Sequence, residues 1–359
     1  MLIRCWVFPS HPTHVEYNLI LMTVYYPHST MPLINKSKYC APLFFQNGHI
    51  QSIYPTLFGK FDTGFYERER IFTPDDDFLD IDWSGIGSNK LAIISHGLEG
   101  SSHRNYVVGM VKILNRNGWD ALAWNYRSCS GEMNRQLRFY NSGTIDDLEF
   151  VIQHAVKTEP YKEIVLIGFS MGGNLTLLYL GNEGRRVDSK ISRSVVFSVP
   201  CDLKASTREL AKIKNKIYMR RFLITLHQKI RAKMKLMPGQ INDDDYHLIK
   251  NFKDYDDRYT APLHGFKNAE DYWNRCSSKR FIPEVKIPTL IVNARNDPFI
   301  AGGCYPVKEA SNSNYVYLEI PESGGHVGFI QFKKDRCYWS EERAIEFLNC
   351  PAFIKNLGS

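Results

Sequence analysis

Ser170 lies in a Gly-x-Ser-x-Gly pattern whose surroundings are those of an activated nucleophile. The apolar run from Glu163 to Phe169 predicts a buried strand, and residues 175–180 predict a helix. A strand, a serine flanked by glycines and a helix are together typical of a nucleophile elbow, a sharp turn that exposes the serine hydroxyl. The glycines lack a Cβ atom, so they leave room for a serine with a positive φ angle. We therefore predict that Ser170 is a nucleophile.

Two later residues have the types and positions of its catalytic partners. A serine hydroxyl needs a base to take its proton, and the base needs an acid to orient it. Asp297 follows the predicted strand 289–294, and His326 follows the predicted strand 316–320. Their order in the chain, acid then histidine, is the one found when the nucleophile lies on an elbow. Taken singly, Asp297 could be a turn residue before Pro298 and His326 a solvated loop histidine.

Other histidines and acids fit these two roles less well. His96 precedes the elbow and follows an early strand, His154 lies in a predicted helix, and His264 lies in a polar insertion. Asp256 and Asp257 are alternative acids, but no predicted strand precedes them. Ser170, Asp297 and His326 therefore remain the predicted catalytic set.

The negative charge that forms on a substrate carbonyl oxygen needs hydrogen-bond donors. At an elbow, the backbone N–H after the nucleophile supplies one donor, here that of Met171. A second donor comes from the loop after an early strand of the sheet, here the loop 96–100 after the predicted strand 90–95. By its position in this loop, Leu98 is the expected second donor.

Alternating strands and helices must position these residues. Such alternation, with near-continuous apolar strands, predicts an α/β fold with a mostly parallel eight-stranded sheet and helices on both faces. Helices are predicted at 105–115, 144–156 and 341–347, and the aromatic stretch 42–58 is expected to pack on the core. The predicted strands span residues 66–72, 78–83, 90–95, 120–126, 163–169, 193–200, 289–294 and 316–320.

The pattern divides the chain into a core and an insertion. Residues 31–201 and 281–359 are predicted to form the α/β core, and the polar, helix-periodic segment 202–280 a helical cap over the carboxyl edge of the sheet. Residues 1–30 lack a clear period. We expect them to be a disordered extension or a mis-assigned translation start.

The net charge of +7 is concentrated in one segment of the cap. Residues 204–235 contain eleven Lys or Arg and one acid, Glu209. The first interpretation is a solvated lid; the second is a weak contact with an anionic membrane surface or phospholipid head group. No motif for nucleic acid accompanies the charge, so nucleic acid is not an expected partner. The cations considered for the anionic contact are Lys212, Lys216, Arg220, Arg221, Lys229 and Lys233.

The composition also bears on membrane-spanning segments, metal sites and disulfides. No run approaches the roughly 20 apolar residues of a membrane-spanning helix. The eight cysteines are scattered, without the spacing of a zinc site. We expect reduced cysteines, a cytoplasmic monomer, and neither a metal nor a cofactor.

The motifs together resemble the YheT-like branch of the α/β-hydrolase superfamily (the AB hydrolase 4 family). The matching stretches are residues 47–55, 96–102, 125–132 and 258–266, the elbow and both late loops. The resemblance implies an α/β-hydrolase fold, esterase activity and the triad Ser170, Asp297 and His326. One loop departs from the family, since residues 127–134 are Arg-Ser-Cys-Ser-Gly-Glu-Met-Asn where the family usually has Arg-Gly-Cys-Ser-Gly-Glu-Pro-Asn.

The sequence therefore predicts a serine hydrolase that cleaves carboxylic esters of small molecules or lipids through an acyl-enzyme. The alternative within enzymes is a lipid-directed, phospholipase-like hydrolase or an acyltransferase with the same triad. The alternative from another class is a binding protein that has kept the fold and lost catalysis.

Overall fold

A computed structural model describes residues 33–34, 36–58, 62–158, 160–333 and 337–350. The expectation for residues 1–30 falls outside this part of the chain. Within it, no helix is both long enough and apolar enough to cross a membrane.

Nine strands form a single sheet in the described residues. They are β1 (Leu33–Ile34), β2 (Glu67–Thr73), β3 (Asp77–Ser84), β4 (Lys90–Ser95), β5 (Asp120–Trp124), β6 (Glu163–Phe169), β7 (Ile191–Phe197), β8 (Thr289–Val292) and β9 (Val316–Glu319). Their spatial order is β1-β9-β8-β7-β6-β4-β5-β3-β2. Neighbours from β1 to β5 in this order are parallel, whereas β3 pairs antiparallel with both β5 and β2.

The predicted fold class is confirmed, and the predicted number of strands is wrong by one. Each of the eight predicted strands is present, and the additional strand is β1, which pairs with β9 through Leu33 and Leu318. A two-residue strand is too short to show the period-two pattern that predicts longer strands.

Helices connect the strands and cover the sheet. The segment 42–58, expected only to pack on the core, includes a helix. The α-helices are α1 (Gly48–Phe58), α2 (Asn105–Arg116), α3 (Ile145–Thr158), α4 (Met171–Glu183), α5 (Leu203–Leu210), α6 (Lys216–Leu236), α7 (Phe252–Tyr255), α8 (Ala261–Leu263), α9 (Ala269–Cys276), α10 (Val307–Ser311) and α11 (Trp339–Leu348).

The core consists of one apolar layer on each face of the sheet. Successive side chains of a strand point to opposite faces. Accordingly Leu91 and Ile93 of β4 pack in the layer that includes α3 and α4, whereas Ala92 and Ile94 pack in the layer that includes α2 and α11. The buried sheet thus holds the carboxyl ends of its strands in fixed positions.

The segment 202–280, which we call the cap, joins β7 to β8 and contains only helices and turns in the structure. Its two ends meet, since the N–H of Lys279 donates to the carbonyl of Cys201 at 3.0 Å. The buried Asn174 side chain of α4 also holds the far end, donating to Cys276 O at 2.8 Å and accepting from Ser278 N–H at 3.0 Å.

Two basic residues of the cap point inward. Lys233 is fully buried, and its ammonium donates to Asn134 O at 2.6 Å and to Gln136 O at 2.6 Å. Lys229 Nζ lies 2.8 Å from the carboxylate of Glu99. These two cations hold the cap helix α6 against the core, so they are unavailable to an anionic surface.

Arg127, in the loop after β5, belongs to a buried ion-pair cluster. The Arg127 guanidinium contacts the carboxylates of Asp77 and Asp147, each at 2.7 Å, and its side chain is 1% exposed. Buried charges of this kind need such pairing to offset the loss of water. Arg127 therefore has a structural role in joining β3, the loop after β5 and α3.

Candidate active site

Ser170 occupies a sharp, strained turn between β6 and α4. Its backbone angles are φ 53° and ψ −119°, outside the φ/ψ regions that are sterically favoured for residues with a Cβ atom. A Cβ atom on Gly168 would lie 2.6 Å from Gly172 O, and one on Gly172 would lie 2.3 Å from Ser95 O. The two glycines are therefore required sterically, which is the reason the sequence pattern suggested.

The structure brings together the three residues that the sequence singled out. His326 Nε2 lies 2.9 Å from Ser170 Oγ, and His326 Nδ1 lies 2.9 Å from Asp297 Oδ2. The Asp297 side chain is fully buried, and its Oδ1 also accepts the N–H of Phe299 at 2.8 Å. A carboxylate at Nδ1 favours the tautomer with its proton there, which leaves Nε2 to accept the serine proton.

Residues that sequence reasoning missed hold His326 in place. The Phe299 ring stacks on the imidazole with centroids 4.0 Å apart. The hydroxyl of Ser52, in α1, accepts the backbone N–H of His326 at 2.8 Å, and that of Ser198, after β7, accepts the N–H of Val327 at 2.9 Å. Ser52 lies in the stretch 47–55 that carried the family resemblance, and this was the only sequence signal for it.

The loop after β4 leaves one backbone donor available beside the nucleophile. The N–H of Gly97 donates to the Tyr106 hydroxyl at 2.9 Å, and the N–H of Glu99 donates to the Tyr140 hydroxyl at 3.0 Å. Between them, the N–H of Leu98 has no acceptor among the described residues. The two tyrosines thus fix the peptide planes on either side of Leu98.

Met171 presents the second such donor. As the first residue of α4, it has a backbone N–H with no partner inside the helix, as is general for helix N-termini. Leu98, Ser170 and Met171 line the same cavity. The residues that carry these two donors and the serine hydroxyl therefore surround one space, as an oxyanion site requires.

His96 has a structural environment. Its Nδ1 lies 2.7 Å from Gly97 O, and its Nε2 accepts the N–H of Tyr126 at 3.3 Å. Burial lowers the pKa of His96 to about 3, so the ring stays neutral near pH 7. It serves to hold the loop that carries Leu98.

The alternative acids and histidines do not contact Ser170 or His326 in the described structure. Asp256 accepts hydrogen bonds from the Thr260 hydroxyl at 2.6 Å and from Trp273 Nε1–H at 2.8 Å. Burial raises the pKa of Asp256 to about 7. His264 faces the carbonyls of Thr260 and Phe139 at 2.8 and 3.2 Å. His154 pairs with Glu69, and Asp257 with Lys253.

Two cavities meet at the candidate catalytic residues. The inner cavity lies between the cap and the sheet and is lined mostly by apolar side chains, among them Leu98, Leu203, Leu210, Phe222, Leu226 and Phe252. The outer cavity lies between α1 and α6 and is lined by Ile53, Leu57, Arg104, Tyr218 and Arg221. Both are also lined by Ser170, Phe222, Phe299 and His326.

The part of the chain that the structure describes contains no cluster of side chains that could bind a metal ion. No three His, Cys, Asp or Glu side chains lie close enough there to hold an ion.

Known proteins are similar to this chain in sequence. The family model of the α/β hydrolase fold matches residues 93–333. The Escherichia coli protein named "Putative esterase YheT" is 32% identical over 295 residues, which cover 80% of this chain and 85% of that protein. Phospholipase ABHD3 of Mus musculus is 28% identical over 276 residues, which cover 74% and 67%.

A solved structure supports the fold. The Pyrococcus furiosus esterase Pf2001 is similar with a TM-score of 0.55 over 81% of this chain and 94% of that chain, at 19% sequence identity. A structural similarity at this sequence identity shows the fold alone, so the family assignment rests on the relatives that are similar in sequence. The chain belongs to the α/β-hydrolase family, in the YheT-like branch that its motifs predicted.

Proposed function

We propose that this protein is a serine hydrolase that cleaves carboxylic esters. The observation that carries the proposal is the continuous chain of contacts from Asp297 through His326 to the Ser170 hydroxyl, with both distances at the imidazole equal to 2.9 Å. A base within hydrogen-bonding reach of a nucleophile, itself oriented by an acid, is the arrangement that nucleophilic acyl transfer requires.

The reaction begins when Ser170 Oγ attacks the carbonyl carbon of the ester. His326 Nε2 takes the serine proton, and Asp297 stabilises the imidazolium that results. The N–H groups of Leu98 and Met171 donate to the oxyanion of the tetrahedral intermediate. His326 then gives the proton to the leaving alcohol, and an acyl-enzyme on Ser170 remains.

Water completes the cycle by the same steps. His326 takes a proton from water, the hydroxide attacks the acyl carbonyl, and the acid leaves as Ser170 recovers its proton. Each oxyanion donor lowers the barrier by about 3 kcal/mol in comparable sites. Because these donors are main-chain groups, replacing the side chain of Leu98 or Met171 leaves them in place.

A lipid ester is the second candidate substrate, and the inner cavity favours it. The cavity extends from Ser170 under the cap and is lined mostly by apolar side chains, which suit a long acyl chain. The similarity to a protein named a phospholipase points the same way. An acyltransferase would use the same triad and pass the acyl group to an alcohol in place of water.

The length of the acyl chain in the substrate distinguishes a short-chain esterase from a lipid-directed enzyme. A series of p-nitrophenyl esters from acetate to palmitate, with the pre-steady-state burst recorded, measures acyl-enzyme formation and its release separately. A kcat/KM that rises with chain length supports the lipid ester. A burst followed by release that accelerates with added alcohol, with the transferred ester as product, supports the acyltransferase.

Labelling by a fluorophosphonate tests the catalytic claim itself. Wild type should label at Ser170, and the Ser170→Ala variant should neither label nor hydrolyse p-nitrophenyl butyrate. Ser194→Ala is the matched control, since Ser194 is buried in β7 away from the site. If Ser170→Ala labels equally well, the catalytic role proposed for Ser170 fails. If folded wild type does not label, the catalytic claim fails and a binding protein on a hydrolase fold is favoured.

A further inference from the structure

The outward face of the cap helix α6 combines apolar and basic side chains. Ile217 is 80% exposed and Ile224 48% exposed, and Ile213, one turn before Ile217, is 92% exposed. The opposite face, with Met219, Leu223, Leu226 and Ile230, is the one buried against the core. An outward apolar stripe on a helix that already buries an inward one needs a partner of its own.

Cations accompany this stripe, and their charge is not neutralised locally. Lys216, Arg220 and Arg221 are exposed beside the isoleucines, and none of them has an ion pair among the described residues. Glu209, the single acid in the segment 204–235, is already engaged by Lys212 at 2.5 Å and Lys214 at 2.8 Å. The surface is therefore both apolar and positively charged.

The stripe borders the outer cavity that leads to Ser170. Tyr218 and Arg221 of α6 line this cavity on one side. Across it lies α1, whose Leu57 is 64% exposed, and His49 Nδ1 of α1 contacts the Tyr218 hydroxyl at 3.1 Å. Phe44, just before α1, is 82% exposed. Leu57 thus lies on the α1 side of the opening, and the exposed isoleucines are close in sequence to the residues of α6 that line the other side.

We propose that this surface docks on an anionic phospholipid bilayer. The docking surface consists of Phe44, Leu57, Lys216, Ile217, Arg220 and Ile224. Its apolar side chains enter the boundary between head groups and acyl chains, and its cations lie against lipid phosphates, as in interfacial amphipathic helices. The proposal rests on the proposed function in one respect: docking turns the outer cavity, and with it Ser170, toward ester substrates in the membrane.

Charge complementarity favours an anionic lipid bilayer as the partner of the docking surface. A second protein copy would present the same positive charge to itself, whereas an anionic lipid surface offers negative charge at every point of contact. Each Lys or Arg brought near such a surface strengthens partitioning about fivefold. Residues Lys229 and Lys233 do not contribute, because both are engaged inside the protein.

The experiment is co-sedimentation of the full chain with vesicles of phosphatidylcholine alone and with 30% phosphatidylserine. Binding should require phosphatidylserine and weaken as salt rises. Lys216→Glu with Arg220→Glu should weaken binding by at least about tenfold, and Ile217→Asp should weaken it to a similar extent. None of these residues lines either cavity, so hydrolysis of a short soluble ester should be unchanged in these variants.

Matched controls lie at the opposite edge of the sheet. Ile86 is 51% exposed in the turn after β3, and Arg185 is exposed after α4. Ile86→Asp and Arg185→Glu change the same kinds of side chain and the same charge per site, and they should bind as wild type does.

Several results would overturn the proposal. These are equal binding to neutral vesicles, no binding by active wild type, or equal loss in the control variants. A dimer in sedimentation velocity that Ile217→Asp converts to monomer would assign the face to a second copy instead. Vesicle binding and ester hydrolysis, measured separately on wild type, distinguish the two proposals. If wild type binds vesicles but hydrolyses no ester, docking stands and the proposed function fails.

Discussion

The hydroxyl of Ser198 accepts the backbone N–H of Val327 at 2.9 Å, and both residues have positive φ angles, 54° and 57°. Such angles are costly for any residue with a Cβ atom and most of all for a β-branched one. Val327 directly follows His326, and Ser198 directly follows β7. The end of a buried strand thus holds the strained loop that presents the candidate base.

Replacing this hydroxyl should loosen the loop. We predict that Ser198→Ala lowers the free energy of unfolding by about 1–3 kcal/mol, since it leaves a backbone N–H without its acceptor. The hydrolysis rate of a short ester should fall as well, because His326 is held less firmly. Urea unfolding and steady-state kinetics measure the two effects.

Ser194→Ala is the control for this change. Ser194 is also fully buried in β7, but its hydroxyl has no hydrogen-bond partner in the described structure. Its removal should be neutral or slightly stabilising and should leave kcat unaltered. Equal effects of the two serine substitutions would contradict the role assigned to Ser198.

The Tyr106 hydroxyl should matter to catalysis through the Leu98 donor. Tyr106→Phe leaves the N–H of Gly97 without its acceptor, so the neighbouring Leu98 N–H is less well oriented. We predict a fall in kcat of about tenfold with KM little changed, because an oxyanion donor acts mainly on the transition state. Kinetics with p-nitrophenyl butyrate give both parameters.

Tyr161→Phe separates catalytic from structural effects. The Tyr161 hydroxyl donates to Asp120 at 3.0 Å, near the start of β5 and far from the site. The substitution should lower stability without changing kcat. If both tyrosine variants lowered kcat in proportion to their loss of stability, Leu98 would have no special part.

Asp256 should make stability depend on pH. Its pKa, raised by burial to about 7, lies above the ordinary value of 3.8 that applies to the unfolded chain. Between these values the native state binds the proton and the unfolded state does not, so stability falls as pH rises from about 4 to about 7. The loss is on the order of a few kcal/mol and is complete above the folded pKa.

Asp256→Asn removes this titration. The amide oxygen of the variant can still accept from Trp273 Nε1–H, and its amide N–H can donate to the Thr260 hydroxyl, so its stability should not depend on pH at this site. The stability of wild type relative to the variant, measured by urea unfolding at pH 5 and pH 8, should therefore be lower at the higher pH. A gap that is constant over this range would show that Asp256 ionises normally in the folded protein.

The buried Lys233 should anchor the cap. Lys233→Met removes the ammonium, which takes its donor from the Asn134 carbonyl and one of two donors from the Gln136 carbonyl, so we predict a loss of about 2–4 kcal/mol in the free energy of unfolding. Lys235→Met is the control, since Lys235 is exposed on the same helix. It should change stability by no more than about 0.5 kcal/mol. Thermal unfolding and protease sensitivity of the cap report the difference.

Lys233 also shows what the sequence could and could not predict. Met219, Leu223, Leu226 and Ile230 follow the spacing of a buried helix face, and Lys233 continues that spacing. Its residue type nevertheless favoured an exposed position. The helical spacing predicted its burial correctly. The carbonyls that accept from the ammonium could not be predicted, because they belong to a loop about a hundred residues earlier that no local pattern connects to α6.

The sheet and the three candidate catalytic residues followed from local signals. Ser170 comes directly after a buried apolar strand, Asp297 and His326 lie in the loops that follow two later ones, and parallel strands bring such positions to one edge. The supports of His326 had no such signal, because Ser52 lies 274 residues from it in sequence. The helix α1 was also missed, since Gly48 and Pro55 are poor helix formers.

The hydrogen bond from Lys279 to Cys201 has a further consequence, for how this protein can change over evolution. It closes the cap at its base, so Cys201 and Lys279 lie together, and residues 280–288 then lead the chain to the parallel strand β8. Insertions are tolerated best where their two ends lie together. Ser170, Asp297 and His326 all lie outside the cap. A different cap can therefore be exchanged onto the same base, bringing a new substrate pocket to an unaltered set of reacting groups.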